Sequence, residues 1–142
     1  MPVSARNVFE GRITSLVDGP VNAELELTTA GNDKIVAVVT EGSVQSLGLA
    51  IGKEAVALVK APWVVLMAGT PDLRCSARNQ LAGKVRRLTK GAVNCEVELA
   101  LPGGTIVHSV VTNEAVLDLG LKVGSEVTAL IKASHVVLGV PA

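Results

Sequence analysis

Aromatic residues are almost missing from this chain: Phe9 and Trp63 are the only two in 142 residues. A surface that stacks nucleobases needs several, so the composition argues against nucleic-acid recognition by stacking. Net charge is missing too. Thirteen Lys and Arg balance thirteen Asp and Glu, which leaves no bulk basic field to draw in nucleic acid or an anionic membrane. The apolar runs are too short and too interrupted to cross a bilayer. The opening Met1-Pro2-Val3-Ser4-Ala5-Arg6 lacks the basic region and apolar run of a secretory leader, so a cytoplasmic location is expected.

Catalytic and metal-ligating residues are equally sparse. The two cysteines, Cys75 and Cys95, and the two histidines, His108 and His135, form no ligand spacing, so the thiols are expected free and the histidines are read as partly exposed strand or loop residues. No nucleophile, base and orienting group assemble into a catalytic set, and the chain is read as a non-enzyme.

What is present is repetition. Ser4-Ala5-Arg6-Asn7 recurs as Ser76-Ala77-Arg78-Asn79, and about 29 of the 67 ungapped pairs that follow are identical, which marks a tandem duplication. The repeat predicts domains at 4–67 and 76–140 joined by a linker at 68–75. Each is close to the size at which one core barely suffices, so each needs a neighbour. With 49% apolar residues, those cores must be built from Val, Leu, Ile and Ala.

Within the first copy, an alternating run from Val8 to Leu16 meets the turn signal Asp18-Gly19-Pro20. Val21 to Leu27 alternates strictly, with Glu24 and Glu26 on an expected wet face, and a third strand reaches Thr40. Thr40-Glu41-Gly42-Ser43-Val44 reads as a capped helix of about two turns, with Thr40 as N-cap and Val44 and Leu47 facing inward. Two strands follow, Glu54–Lys60 and Trp63–Met67, separated by Ala61-Pro62. The order β-β-β-α-β-β predicts an all-β fold of two tandem OB-like five-stranded Greek-key barrels, each with a short helix between strands 3 and 4.

Both copies keep small polar and cationic residues beside the loops: Ser4/Ser76, Arg6/Arg78, Asn22/Asn94, Thr40/Thr112 and Lys60/Lys132. Hydroxyls, amides and cations without an accompanying base are the donors an oxyanion requires. A shared core explains retained Val, Leu and Gly; it does not explain retained Arg and Lys.

Ser-Ala-Arg-Asn, Gly-x-Val-Asn-x-Glu, Val-Val-Thr, Leu-Gly-Leu and Lys-Ala-Pro-Trp together resemble the molybdenum-pterin-binding (Mop/TOBE) domain, and the tandem arrangement is similar to the family's two-domain molybdate binders. The resemblance implies molybdate or tungstate as bound ligand, with no organic cofactor and no direct cation ligand. It also implies a homotrimer of two-domain chains and a role in molybdenum storage and homeostasis. Proteins of molybdenum-cofactor or nitrogenase-cofactor synthesis are the implied recipients; nucleic acid and membrane are not among the expected partners. An oxyanion-sensing module acting through a protein partner is the alternative.

Carried over by motif, one site type takes Ser4 and Arg6 from one domain and Thr40, Ser43, Lys60 and Ala61 from another. Its second version uses Ser76, Arg78, Thr112, Ala115, Lys132 and Ala133, where Ala115 lacks the hydroxyl of Ser43. A second site type near a threefold axis is assigned to the turns Gly19, Val21, Asn22 and Gly91, Val93, Asn94.

Overall fold

The computed structural model describes residues 2–69 and 73–142; the middle of the expected linker, residues 70–72, lies outside the described residues. Each copy runs as anticipated. In the first, β1 (Asn7–Asp18), β2 (Asn22–Thr29) and β3 (Lys34–Thr40) form an antiparallel meander, followed by α1 (Glu41–Leu47), β4 (Glu54–Val59) and β5 (Val65–Ala68). The second repeats it as β6 (Asn79–Lys90), β7 (Asn94–Ala100), β8 (Ile106–Thr112), α2 (Asn113–Leu119), β9 (Glu126–Ile131) and β10 (Val137–Gly139). Among the described residues no helix is long and apolar enough to cross a membrane.

The sheets do not follow the copies. One has the order β10-β4-β1-β2-β3 and the other β5-β9-β6-β7-β8, so each copy's last strand completes the other copy's sheet. Val65 to Ala68 pair with Leu130 to Val127, and Val137 to Gly139 pair with Leu58 to Val56. The connection explains why. Ala61–Trp63 forms a 3-10 turn, with Trp63 N–H donating to Lys60 O at 3.0 Å and Val64 N–H to Ala61 O at 3.2 Å. Two such turns in succession carry the chain onward, whereas a tight hairpin would fold β5 back on β4. Trp63 therefore belongs to the turn and not to the strand expected to start there. The second copy makes the same turn at Ala133–His135 with Ser134 in place of Pro62, so proline is not required for it.

The long first strand of each copy serves two neighbours because it is bent. β1 pairs with β4 through Asn7 to Arg12 and with β2 through Gly11 to Asp18, with a register shift between Ile13 and Ser15. β6 shifts at the matching place, between Val85 and Arg87. An extra residue of this kind raises local twist and bends the strand. Gly11 sits where both pairings overlap; a Cβ there would lie 2.2 Å from Thr28 O, so backbone closeness dictates glycine.

Alternation along these strands places Ile13, Leu25, Leu27, Ile35 and Val59 on the inner face, with Val85, Val97, Leu99, Val107 and Ile131 as their counterparts, all buried. They belong to one apolar cluster that runs through both copies. A single core shared by two small units meets the expectation that neither half suffices alone.

Two polar residues inside that shared interior hold the copies together. Asn7 and Asn79 are each 1% exposed. Asn79 Nδ2 donates to Val36 O at 2.8 Å and its Oδ1 accepts from Val36 N–H at 2.7 Å; Asn7 does the same to His108, at 2.8 and 2.7 Å. Each amide imitates a strand's backbone and covers part of the free edge of β3 or β8, the strand that ends its sheet. Elsewhere along the same seam Trp63 meets His135 with ring centres 5.0 Å apart and planes tilted by 39°, and Gly31 meets Gly103 backbone to backbone. Both pairs are equivalent positions of the repeat.

Candidate functional site

The shared donors fall into two groups, set by the ends of the first strand. Arg6 precedes Asn7 and Lys60 follows Val59, and Asn7 and Val59 are the terminal rung of the β1–β4 ladder, so both cations project from the same end. Thr40 lies opposite Asn22 at the far end of the meander, beyond the end of β1, where Asp18 pairs with Ala23. β1 has 12 residues, which at about 3.3 Å per residue gives a span approaching 40 Å before bending. Arg6 and Lys60 of one copy thus lie toward the opposite end of β1 from its Thr40.

At the Thr40 end the donors are preorganised. Thr40 is extended (φ −71°, ψ 151°), and its Oγ1 accepts from Ser43 N–H at 3.1 Å. A hydroxyl–hydroxyl hydrogen bond of 2.9 Å links it to Ser43 Oγ. This is the predicted N-cap. Thr112 accepts from Ala115 N–H at 3.0 Å in the same way, without a second hydroxyl. Gly48 and Gly120 end the helices in the left-handed conformation, both at φ 62°, a position that favours glycine. Inward, Val44 is buried and Leu47 packs against the core, as read from the sequence.

At the cationic end, Arg6 Nη2 meets Glu96 Oε1 at 2.7 Å, and Arg78 pairs with Glu24. Both pairs cross from one copy to the other. Glu24 and Glu96 are therefore not the wet-face residues that strand alternation suggested; they are half-buried and tether the arginines. The tether also brings the groups closer. Glu96 stands two residues from Asn94, the partner of Thr112, a step of about 7 Å along β7. Glu24 has the same relation to Asn22 and Thr40. Arg6 is thereby aimed toward the second copy's cap, and Arg78 toward the first's. The turn after Lys60 packs against β8 and the turn after Lys132 against β3, the same exchange again. Lys60 Nζ also lies 5.7 Å from the centre of the Trp63 ring. Ser4 and Ser76 are exposed just ahead of the arginines, while Ala61 and Ala133 are buried at the first position of their turns.

The turn sites share one backbone frame. Gly19 N–H donates to Asn22 O at 2.9 Å and Gly91 N–H to Asn94 O at 2.8 Å; Val21 and Val93 stand out at 71% and 69% exposed. The charges beside them differ. Loss of hydration and the neighbouring Asp18 carboxyl push the pKa of Glu41 above its ordinary 4.5; the second copy has Lys90 and Asn113 at these positions. Sequence reading missed the tethering glutamates, the amide clips Asn7 and Asn79, and this carboxyl pair. Retention of Asn7/Asn79 and Glu24/Glu96 in both copies was the available signal for the first two.

His108 and His135 are each partly exposed, on β8 and in the 3-10 turn. Cys75 and Cys95 are free thiols, and among the described residues no three His, Cys, Asp or Glu gather into a metal site.

Comparison with known proteins identifies the family. The chain is 45% identical over 140 residues to the molybdenum transport protein ModE of Azotobacter vinelandii, covering 99% of this chain and 52% of that protein. It is 43% identical over 141 residues to the molybdenum-pterin-binding protein MopA of Rhodobacter capsulatus, covering 99% and 53%. The chain thus spans about half the length of the curated relatives it matches. A crystal structure of the cytoplasmic molybdate-binding protein ModG with molybdate bound superposes with a TM-score of 0.95 at 57% identity, covering 99% of this chain and 100% of that one. The TOBE domain pattern matches residues 3–66 and again 75–138, and the chain belongs to the TOBE domain family.

Proposed function

We propose that this chain binds molybdate or tungstate as the intact tetrahedral dianion, at sites shared between domains and between subunits of a homotrimer, and serves molybdenum storage and homeostasis in the cytoplasm. The observation that carries the reading is the match over the whole chain to a molybdate-bound protein of the same two-copy design. The donors support it: hydroxyls of Ser4, Thr40 and Ser43, cations Arg6 and Lys60, the amide of Ala61, and in the second version Ser76, Arg78, Thr112, Lys132 and Ala133, with the Ala115 N–H given to the Thr112 hydroxyl. Hydroxyls, amides and cations make up the set, the Glu96 and Glu24 carboxylates hold the arginines in place, and the chemistry of the proposal is binding and release. Each charge-assisted bond contributes about 1.5–3 kcal/mol, and about six offset the desolvation of a dianion.

Glu96 engages a single Nη2 of Arg6, and the other N–H groups of the guanidinium fork stay available to an oxyanion. Selection against sulfate rests on cavity size. Where a site takes donors from more than one subunit, binding is coupled to assembly, and ligand stabilises the oligomer by mass action. Equilibrium dialysis with molybdate against excess sulfate, with mass by light scattering on the same sample, tests this. Sulfate-resistant uptake of more than one ion per chain by a trimer, lowered by Arg6→Ala and Lys60→Ala, is the expected result. No uptake at micromolar molybdate overturns it. Trp63, the sole tryptophan, adjoins Lys60 and gives a fluorescence readout of the same titration.

A further inference from the structure

The two arginine tethers are built alike and differ by one titratable neighbour. Glu96 holds Arg6 through Oε1, and His108 Nδ1 stands 3.4 Å from that same oxygen. Glu24 holds Arg78, but the position equivalent to His108 is Val36. The strand registers match: Glu98 lies opposite His108 and Glu96 opposite Val110, as Glu26 lies opposite Val36 and Glu24 opposite Val38. One tether therefore has an imidazole beside it and the other an apolar side chain.

The imidazole's bonding is incomplete. His108 Nδ1 is shielded from solvent and has no hydrogen-bond partner among the described residues. A bare Nδ1 and a carboxylate oxygen are both acceptors, and a proton on the ring turns their contact into a charge-assisted hydrogen bond. The strand cannot easily carry the ring away, because the Asn7 amide holds His108 by both its backbone N–H and its carbonyl. Other charges around the ring are already engaged or remote. Glu98, opposite on β7, faces Arg86 at 3.6 Å and Arg87 at 3.7 Å. Glu114 and Asp118 of α2 are exposed. The turn Ala61–Trp63 and β5, which also pack on β8, contain no ionisable residue, and Lys60 leads into that turn.

We infer that His108 is a positioning residue for Arg6 that works by protonation: the imidazolium draws Glu96 off the guanidinium, so the Arg6 site binds its oxyanion more tightly as pH falls and the Arg78 site does not. The inference rests on the oxyanion-binding reading above. With the ring neutral, Arg6 and Glu96 cancel; with the ring protonated, the three groups carry one net positive charge, and a carboxylate shared between two cations holds each less firmly. Arg78 and Glu24 cancel at either pH. Histidine is the side chain that changes charge between about pH 5 and 8, and by reciprocity the bound dianion draws a proton onto the ring.

The test is equilibrium dialysis of the full chain with molybdate between about pH 6 and 8, on wild type, His108→Val, which copies Val36, and His108→Gln, which keeps a polar side chain that does not titrate. Asn7 bonds the backbone of residue 108, so the amide clip survives both substitutions, and circular dichroism checks folding. Wild-type affinity at the tightening sites is expected to rise about fivefold toward the acid limit, the effect of one added charge a few ångströms away in a solvated setting. Both variants should stay flat, Arg6→Ala should lose the slope together with its ions, and Val36→His should steepen the profile by giving Arg78 the same device. A flat wild-type profile, tighter binding toward the alkaline limit, or a slope that His108→Val leaves intact overturns the inference and leaves the oxyanion reading standing. Absence of uptake at every pH overturns both.

Discussion

The first and second copies of this chain have almost the same backbone and differ in side chains along a clear line. Positions that bridge the copies were kept in both: the amide clips Asn7 and Asn79, the tethers Arg6–Glu96 and Arg78–Glu24, and the apposed Gly31 and Gly103. Positions beside the candidate anion sites drifted, Ser43 against Ala115 and Asp18 and Glu41 against Lys90 and Asn113, and at the seam the exceptions are the facing pairs Trp63–His135 and Asp33–Thr105, whose members differ. A residue that touches its own counterpart's copy is constrained from both sides, whereas a residue facing a ligand can change one site at a time. Retention in a duplicated chain therefore reports on the seam as well as on the ligand, and divergence marks where two sites have acquired different properties.

The largest test of this comparison concerns the amide clips. Asn7→Ala and Asn79→Ala each strip hydrogen bonds from buried backbone groups of the other copy and should each lower stability by about 3 kcal/mol. Urea denaturation with a common m-value is the measurement. Equal losses uphold the symmetry of the seam; a loss confined to one variant breaks it.

Smaller, and deliberately unequal, is the effect at the paired glycines. A Cβ on Gly103 would stand 2.2 Å from Gly31 O, while one on Gly31 would meet Gly103 O and Thr105 Oγ1 at 3.0 Å. Gly103→Ala should cost about 2 kcal/mol and Gly31→Ala about 1 kcal/mol, within the range for overpacking a tight contact. Thermal melting of the two proteins side by side checks the order.

At the caps, Ser43→Ala should make the first site resemble the second, weakening it about fivefold through loss of one net hydrogen bond, and Ala115→Ser should do the opposite. Titration followed by Trp63 fluorescence would read both. If neither substitution alters affinity, the two caps are equivalent and the hydroxyl is irrelevant to binding.

The smallest effect is one of pH. An acid whose pKa is raised by folding binds its proton more tightly in the native state, so its contribution is favourable at low pH and is lost as pH rises through the window above 4.5. Removing the titration by Glu41→Gln should flatten the stability profile there, with little change below that window. The profiles of wild type and variant should converge in acid; parallel profiles throughout would show that folding does not raise the Glu41 pKa.

How much of this was legible beforehand follows from what each feature depends on. Strand order, the helix cap at Thr40 and the inward Val44 and Leu47 depend on local period and capping chemistry, and both were readable. The exchange of β5 and β10 was not. Ala57-Leu58-Val59 and Ala129-Leu130-Ile131 present nearly the same edge, so the sequence of β5 fits either, and the choice is made by the path of the 3-10 turn. Residue type alone identified Arg6 and Arg78 as donors, but it could not show that each is held by a glutamate ninety or fifty-four positions away. The bend at Thr14 likewise leaves no mark in an alternation that is already loose there.

The exchanged strands also change what a cut in the polypeptide can do. β5 remains joined by its chain to β4 in one sheet while hydrogen-bonded to β9 in the other, and β10 makes the reciprocal connection. Cleaving the peptide between β5 and β6 would leave two fragments, each ending in a strand embedded in its neighbour. They form a topological clasp that comes apart only when a sheet is opened, so continuity of the chain between the copies is dispensable for keeping them together once they have folded.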